Sequence, residues 1–350
     1  MHDQDETSSK TETDQFSVYE LRNKNGVSLK LTNFGGRVIS FFVPDRHGAL
    51  ADVVLGYDSV ERYATGNPYF GAAIGRFGNR IAKGKFSLDG TEFNLAINNR
   101  DNALHGGPKG FHNVFWNAKK DSINNSVELV YLSKDGEEGY PGNLSVIMIY
   151  TLTDENEFKI DYSATTDKTT IVNLTHHSFF NLAGEGTGDI LKHQLIINAK
   201  QFTPVDEGLI PTGEWRNVKA TPFDFTEPHA IGERINQADE QLKKGNGYDH
   251  NWILDKEGKE LSLAAKVVEP TSGRIMEVFT TEPGLQFYSG NFLDGTDIGK
   301  GAKQYNFRTA FCLEAQHFPD SPNHNNFPTV VLKAGEVYKQ TTVYRFSTVK

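Results

Sequence analysis

The sequence predicts an all-β protein, a large antiparallel β-sandwich carrying a few short helices. Three observations predict it: long segments in which apolar and polar residues alternate with period two, turn dipeptides between them, and a scarcity of helical periodicity. Asn25-Gly26 opens the series of turns, followed by Asp89-Gly90, Asp135-Gly136, Pro141-Gly142, Pro283-Gly284 and Asp294-Gly295. Asp58 is placed to cap a short helix over residues 59–64. Val127, Leu129 and Tyr131 share one face of a strand. Leu144, Val146, Met148, Tyr150 and Leu152 share a face of the next, and Phe158, Ile160, Tyr162 and Ala164 of a third. Residues 173–182 read as a buried, apolar-rich strand, and residues 228–244 as one or two modest helices. Residues 310–316 form a further strand, with Phe311, Leu313 and Ala315 on one side and Cys312, Glu314 and Gln316 on the other. Tyr338, Gln340, Thr342, Tyr344 and Phe346 share a face of the last.

A chain of 350 residues has ample core for one large domain. No linker, composition shift or repeat divides it, so residues 16–350 are expected to be a single domain. Residues 1–15 are polar and acidic and are expected to be a disordered tail without the apolar stretch of a secretion signal. The formal net charge of −9 argues against nucleic acid and anionic membrane surfaces as partners. No apolar run approaches the ~18 residues of a membrane span. Cys312 is the only cysteine, which excludes an intrachain disulfide and suits a reducing, cytoplasmic location. The glycosylation triplets at Asn124, Asn143 and Asn173 read as chance matches without such a signal.

The chemistry is concentrated where ionisable or amide side chains stand in apolar or glycine-rich surroundings, because a buried polar group is costly unless it is hydrogen-bonded or meets a ligand. Gly75-Arg76-Phe77-Gly78-Asn79-Arg80-Ile81 offers two arginines with close backbone approach. Asn102-Ala103-Leu104-His105-Gly106-Gly107 presents a histidine with little bulk beside it. Gly247-Tyr248-Asp249-His250-Asn251-Trp252 sets an acid among aromatics, a combination that suits a sugar, whose hydroxyls donate to carboxylates and whose C–H faces cover aromatic rings. Glu314 lies in an apolar strand, and burial raises a carboxyl pKa unless donors compensate. Gln286 and Tyr288 share a face opposite Leu285 and Phe287. Alternation sends His176 and His177 to opposite faces, and periodicity does not choose between them.

From about Tyr19 to Phe346 the chain resembles the aldose 1-epimerases, also called galactose mutarotases. The resemblance rests on motifs in family order: Asn33-Phe34-Gly35-Gly36, Gly75-Arg76 with Asn79-Arg80-Ile81, and Leu104-His105-Gly106-Gly107. They continue with Gly139-Tyr140-Pro141-Gly142, His177-Ser178-Phe179-Phe180-Asn181-Leu182, Gly247-Tyr248-Asp249-His250-Asn251, Gln286-Phe287-Tyr288, Gly290-Asn291-Phe292, and Cys312-Leu313-Glu314 with Pro319-Asp320. By that resemblance Glu314 is the general base, His177 the general acid, and His105 a second histidine at the ring oxygen or its neighbouring hydroxyl. Arg80, Asn79, Asp249 and Gln286 are expected to hold sugar hydroxyls. His176 stands where the family usually has asparagine, which puts the hydrogen bonds around the acid in question.

The implied reaction interconverts the α and β anomers of free hexoses such as galactose and glucose by ring opening and reclosure. It needs one base at the C1 hydroxyl and one acid at O5, with no metal, cofactor or covalent intermediate. Reference pKa values of about 4.3 for Glu and 6.5 for His leave a window in which carboxylate and imidazolium coexist. The two groups are expected to face each other across a gap the size of a pyranose. The partner is a small monosaccharide, and the chain is expected to act as a monomer or homodimer. Three rivals are weaker. A metalloenzyme would use His105, His177, His250 and Glu314, but no short paired motif supports it. A sugar-binding module would not need the Glu314–His177 pair. An epimerase of phosphorylated hexoses would need a basic cluster beyond Arg76 and Arg80.

Overall fold

The computed structural model describes residues 15–67 and 69–349. All but the last residue of the expected disordered tail at 1–15 falls outside them. Among the described residues the largest sheet is nine-stranded and antiparallel. In spatial order its strands are Asn117–Asp121, Ser126–Ser133, Leu144–Leu152, Glu157–Thr166, Val337–Thr348, Arg274–Thr280, Ser262–Val268, Gln194–Ile197 and His229–Ala230.

The alternation in the sequence becomes register here. Leu152 stands opposite Phe158 and Tyr150 opposite Ile160, while Phe158 and Ile160 stand opposite Tyr344 and Thr342. Directly opposed residues of an antiparallel pair share a face, so these side chains form one continuous apolar layer. A four-stranded sheet (Val18–Arg22, Ser28–Thr32, Arg37–Pro44, Leu50–Asp52) adds to this core. Its Phe41 meets Phe158 and Phe346 edge-on, at centroid distances of 5.9 and 4.7 Å.

The sheet that positions the site is five-stranded, in the order Arg216–Asn217, Gln201–Thr203, Asp249–Ile253, Gly284–Tyr288, Cys312–Gln316. One face carries Trp252, Leu285, Phe287 and Leu313, all buried in the main core. Each such side chain contributes about 1.5–3 kcal/mol by leaving water. Cross-strand pairing places Asp249 beside Tyr288 and Cys312, and Asn251 beside Gln286 and Glu314, on the other face. That face is also buried, but polar. The hydrophobic face therefore fixes the strands, and the strands carry the polar set.

Some expectations are corrected and others are met. The ten residues 173–182 are all buried, yet only Thr175–His177 forms strand, pairing with Ala72–Ile74. The segment over 59–64 is a 3₁₀ helix, Val60–Ala64, with Ser59 rather than Asp58 at its N-cap. Residues 228–244 hold two short helices, Ile231–Arg234 and Glu240–Gly245; the Asp239 side chain caps the second by accepting from the Gln241 and Leu242 amides. Asp89-Gly90 joins Lys85–Leu88 to Thr91–Asn94 with φ of 49° and 80°, as a primed hairpin turn requires. Gly284 begins a strand instead of turning, and its lack of a side chain serves packing. A Cβ there would lie 2.5 Å from Asn251 Oδ1 and 2.8 Å from the Phe318 ring.

Candidate active site

Glu314 sits at the middle of the strand Cys312–Gln316, opposite Gln286, and is 2% exposed. Its Oε1 is 3.5 Å from His177 Nε2, and its Oε2 has no hydrogen-bond partner among the described residues. The strand Thr175–His177 brings the histidine in, with His177 opposite Ala72. His177 Nδ1 lies 3.5 Å from the Cys312 Sγ. Alternation turns His176 the other way, among the rings of Tyr150, Phe158 and Tyr344. There its nitrogens meet Ser178 Oγ at 2.7 Å and Tyr150 Oη at 3.2 Å. His176 is a core histidine with both nitrogens partnered, so its hydrogen bonds do not involve the candidate acid.

His105 follows the short strand Ala103–Leu104, which pairs with Arg80–Ile81. Its backbone is left-handed, with φ 52°. The Asn79 amide N–H donates to His105 Nδ1 at 3.1 Å, so the neutral ring carries its proton on Nε2. The next residue must be glycine: Gly106 has φ +83°, and a Cβ there would stand 1.9 Å from the Gly75 carbonyl oxygen. The His105 and His177 rings meet edge-on at 5.1 Å.

Arg80 and Asp249 form a buried pair at 3.5 Å, Nη2 to Oδ2. Arg80 Nε donates to Asn99 Oδ1 at 3.1 Å, and Asp249 Oδ1 accepts from Gln286 Nε2 at 2.7 Å. Asn79 Oδ1 accepts from the Arg80 amide at 2.9 Å. The hydrogen bonds hold both charges in fixed orientation, which lowers the entropy lost when a ligand binds.

These groups open on a cleft of about 370 Å³ lined by Glu314, His177, His105, Asn79, Arg80 and Asp249. Six of the seven residues singled out in the sequence thus line one hollow. Gln286 is not among the lining residues; its Nε2 donates to Asp249 Oδ1 and so holds a carboxylate that is. Tyr69, Asn67, Asn99, Arg100, Leu209 and Phe292 also line the cleft. Of these, sequence reasoning quoted Phe292 within Gly290-Asn291-Phe292 but gave it no role, and it passed over the others because they lie in loops whose closure over the cleft leaves no local pattern.

Arg76 is turned away from the cleft. Its guanidinium donates to the carbonyls of Pro141, Gly142 and Ser133 and lies 5.6 Å from the Tyr140 ring centroid. The motif at residues 139–142 is thus the seat of a structural arginine. His250 is likewise outside the site: its ring packs against Phe223 and Phe202, and its Nδ1 accepts from the Asp249 amide. Of the four residues in the metal reading, His105, His177 and Glu314 remain together, their nearest ligating atoms within 4.8 Å of one another.

Burial reverses the order of proton affinities that reference values suggest. It pushes the Glu314 carboxyl well above the usual range, with the Asp249 charge adding and the Arg80 charge opposing. The same desolvation lowers His177 to about 3 and takes His105 well below its ordinary value. Burial thus opposes charge on both partners, and the two form a coupled pair that can share one proton. Carboxylate with imidazolium is the same net-charge state with that proton moved. The two groups are also direct neighbours, with no pyranose-sized gap between them; a sugar must lie over the pair and present one edge to both.

The family profile described as aldose 1-epimerase matches residues 17–345. The chain is 49% identical over 317 residues to a galactose mutarotase of Bos taurus, covering 91% of this chain and 90% of the relative. It is 38% identical over 333 residues to an aldose 1-epimerase of Escherichia coli strain K12, covering 95% of each. A solved structure of an aldose epimerase homologue from C. elegans has a TM-score of 0.89 and 30% sequence identity, covering 96% of this chain and 100% of that one. With its polar cleft and with this likeness along nearly its whole length, the chain belongs to the aldose 1-epimerase family.

Proposed function

We propose that the protein is a mutarotase that interconverts the anomers of free hexoses, with Glu314 and His177 as its proton-transfer pair. One observation carries this reading: a buried carboxyl with an unpartnered oxygen lies 3.5 Å from an imidazole, and both line the same cleft. O1 and O5 of a pyranose are bonded to the same carbon, so the groups that serve them must be neighbours. A pair that merely bound sugar would not need a shared proton.

The reaction starts by moving the proton from Glu314 to His177, which leaves a carboxylate beside an imidazolium. Glu314 then accepts the C1 hydroxyl proton while His177 gives its proton to O5, and the C1–O5 bond opens to the aldehyde. Rotation about C1–C2 presents the other carbonyl face, and the two transfers run backwards on reclosure. Each positioned acid or base is worth ~10²–10⁴-fold. His105 donates through Nε2 near the same edge, and Arg80 and Asp249 bind hydroxyls further along the ring. Polarimetry on freshly dissolved α-glucose and α-galactose tests the reading. The protein brings either rotation to equilibrium faster than buffer alone; no acceleration with either sugar would sink it.

The pH profile follows from the one-proton pair. Activity is lost at low pH when the pair takes a second proton and at high pH when it loses its only one. Burial opposes both charged states, so it pushes the acid limb down and the alkaline limb up. The expected bell extends past both reference values, with limbs below pH ~4.3 and above ~6.5. A narrow bell with both limbs inside that interval would contradict the assignment. Activity is also expected to survive exhaustive dialysis against a chelator, and restoration by added zinc after a loss would favour a metal held by His105, His177 and Glu314.

A further inference from the structure

Tyr69 lies just before the strand Ala72–Ile74, the partner of the strand that carries His177. Its position relative to that histidine is fixed by backbone contacts. The Gly71 amide donates to the His177 carbonyl at 3.1 Å, the Ala72 amide to the Tyr69 carbonyl at 3.2 Å, and the Tyr69 amide to Asn67 Oδ1 at 3.0 Å. The Tyr69 ring stacks on the His177 imidazole at a centroid distance of 5.6 Å and 25°. Phe179 stacks on it as well, at 4.9 Å and 27°. The imidazole thus has two aromatic rings stacked against it.

The other groups facing His177 do little to favour a positive charge. Glu314 is the anion among them. Cys312 holds a neutral thiol against Nδ1, and His105, His112 and Arg37 contribute positive or potentially positive charge. His176 adds the same sign from the neighbouring position. Besides a backbone hydrogen bond of His177 itself, the negatively polarised faces of these rings are placed to favour an imidazolium here. The phenol of Tyr69 has no hydrogen-bond partner among the described residues although the residue lines the cleft. Burial pushes it up to about 12, so its O–H remains a donor wherever the enzyme works.

Resting on the mutarotase reading, we propose that Tyr69 is a further residue of the reaction: its ring positions His177 and favours the protonated imidazole, and its hydroxyl donates to a hydroxyl of the bound sugar. Three variants test this by polarimetric kinetics across pH. Tyr69→Phe keeps the ring, so kcat and both pH limbs stay in place while KM rises ~3–10-fold, the worth of one neutral hydrogen bond. Tyr69→Leu also removes the ring face; kcat falls roughly tenfold and the acid limb moves to lower pH. Phe179→Leu moves the acid limb the same way with KM unchanged, and serves where Tyr69→Leu does not fold. Tyr69→Phe with a wild-type KM overturns the proposal, as do leucine variants whose limbs do not move. An inactive wild-type protein would instead remove the mutarotase reading itself.

Discussion

Glu314→Gln lowers kcat for mutarotation by ~10²–10⁴-fold while leaving sugar binding measurable. The amide matches the carboxyl in size and keeps an oxygen to accept from the C1 hydroxyl, but it cannot take up a proton. Its neighbours are fixed by the sheet: Gln286 stands opposite on the adjacent strand, and the Leu313 and Ala315 side chains point to the core. The variant therefore retains its fold, and it also loses a buried group whose ionisation is opposed by desolvation. Polarimetry gives the rate, and a ligand-induced rise in Tm with galactose or glucose reports the retained binding. A kcat within about tenfold of wild type would show that another group is the base.

His177→Asn is expected to lose ~10²–10⁴-fold in kcat by removing the acid. The alkaline limb of the pH profile should vanish with it, because that limb reports loss of the acid's proton, while an acid limb set by protonation of Glu314 remains. His105 stands at 5.1 Å ring to ring and keeps a donor on Nε2, so the residual rate depends on it. The double variant with His105→Asn then falls further by more than the single His105→Asn change costs in the wild-type background, since His105 is the donor left at that edge of the sugar. If His177→Asn keeps near-wild-type kcat and His105→Asn abolishes it, the acid is His105.

Much of the fold was legible because strands with one buried face leave a period-two record. Leu144 to Leu152 alternate in sequence and alternate in burial, and the register with Phe158, Ile160 and Tyr162 follows the same faces. The site was legible where polarity conflicts with its surroundings, as at Glu314 between Leu313 and Ala315, or at His105 before two glycines. Short irregular segments were less readable. Residues 173–182 are apolar and buried like a strand, but isolated bridges such as Phe180 to Phe311 and Phe77 to Asn173 take the place of a regular ladder.

Sequence by itself determined which residues alternate, which polar groups must be satisfied in an apolar setting, and hence an all-β chain carrying a carboxyl, imidazoles and an arginine suited to sugar chemistry. Tertiary structure alone separated look-alikes. Arg76 and Arg80 sit four residues apart beside similar glycines, yet one clasps carbonyls and the other faces the cleft with Asp249. His176 and His177 are adjacent, yet one belongs to the core and the other lines the cleft beside Glu314. It also brought Tyr69 against His177 and buried Glu314 and His177 together, which opposes charge on both. The reason is physical: hydrophobic pattern is a local property of a strand, whereas desolvation and contact depend on which distant segments close over it.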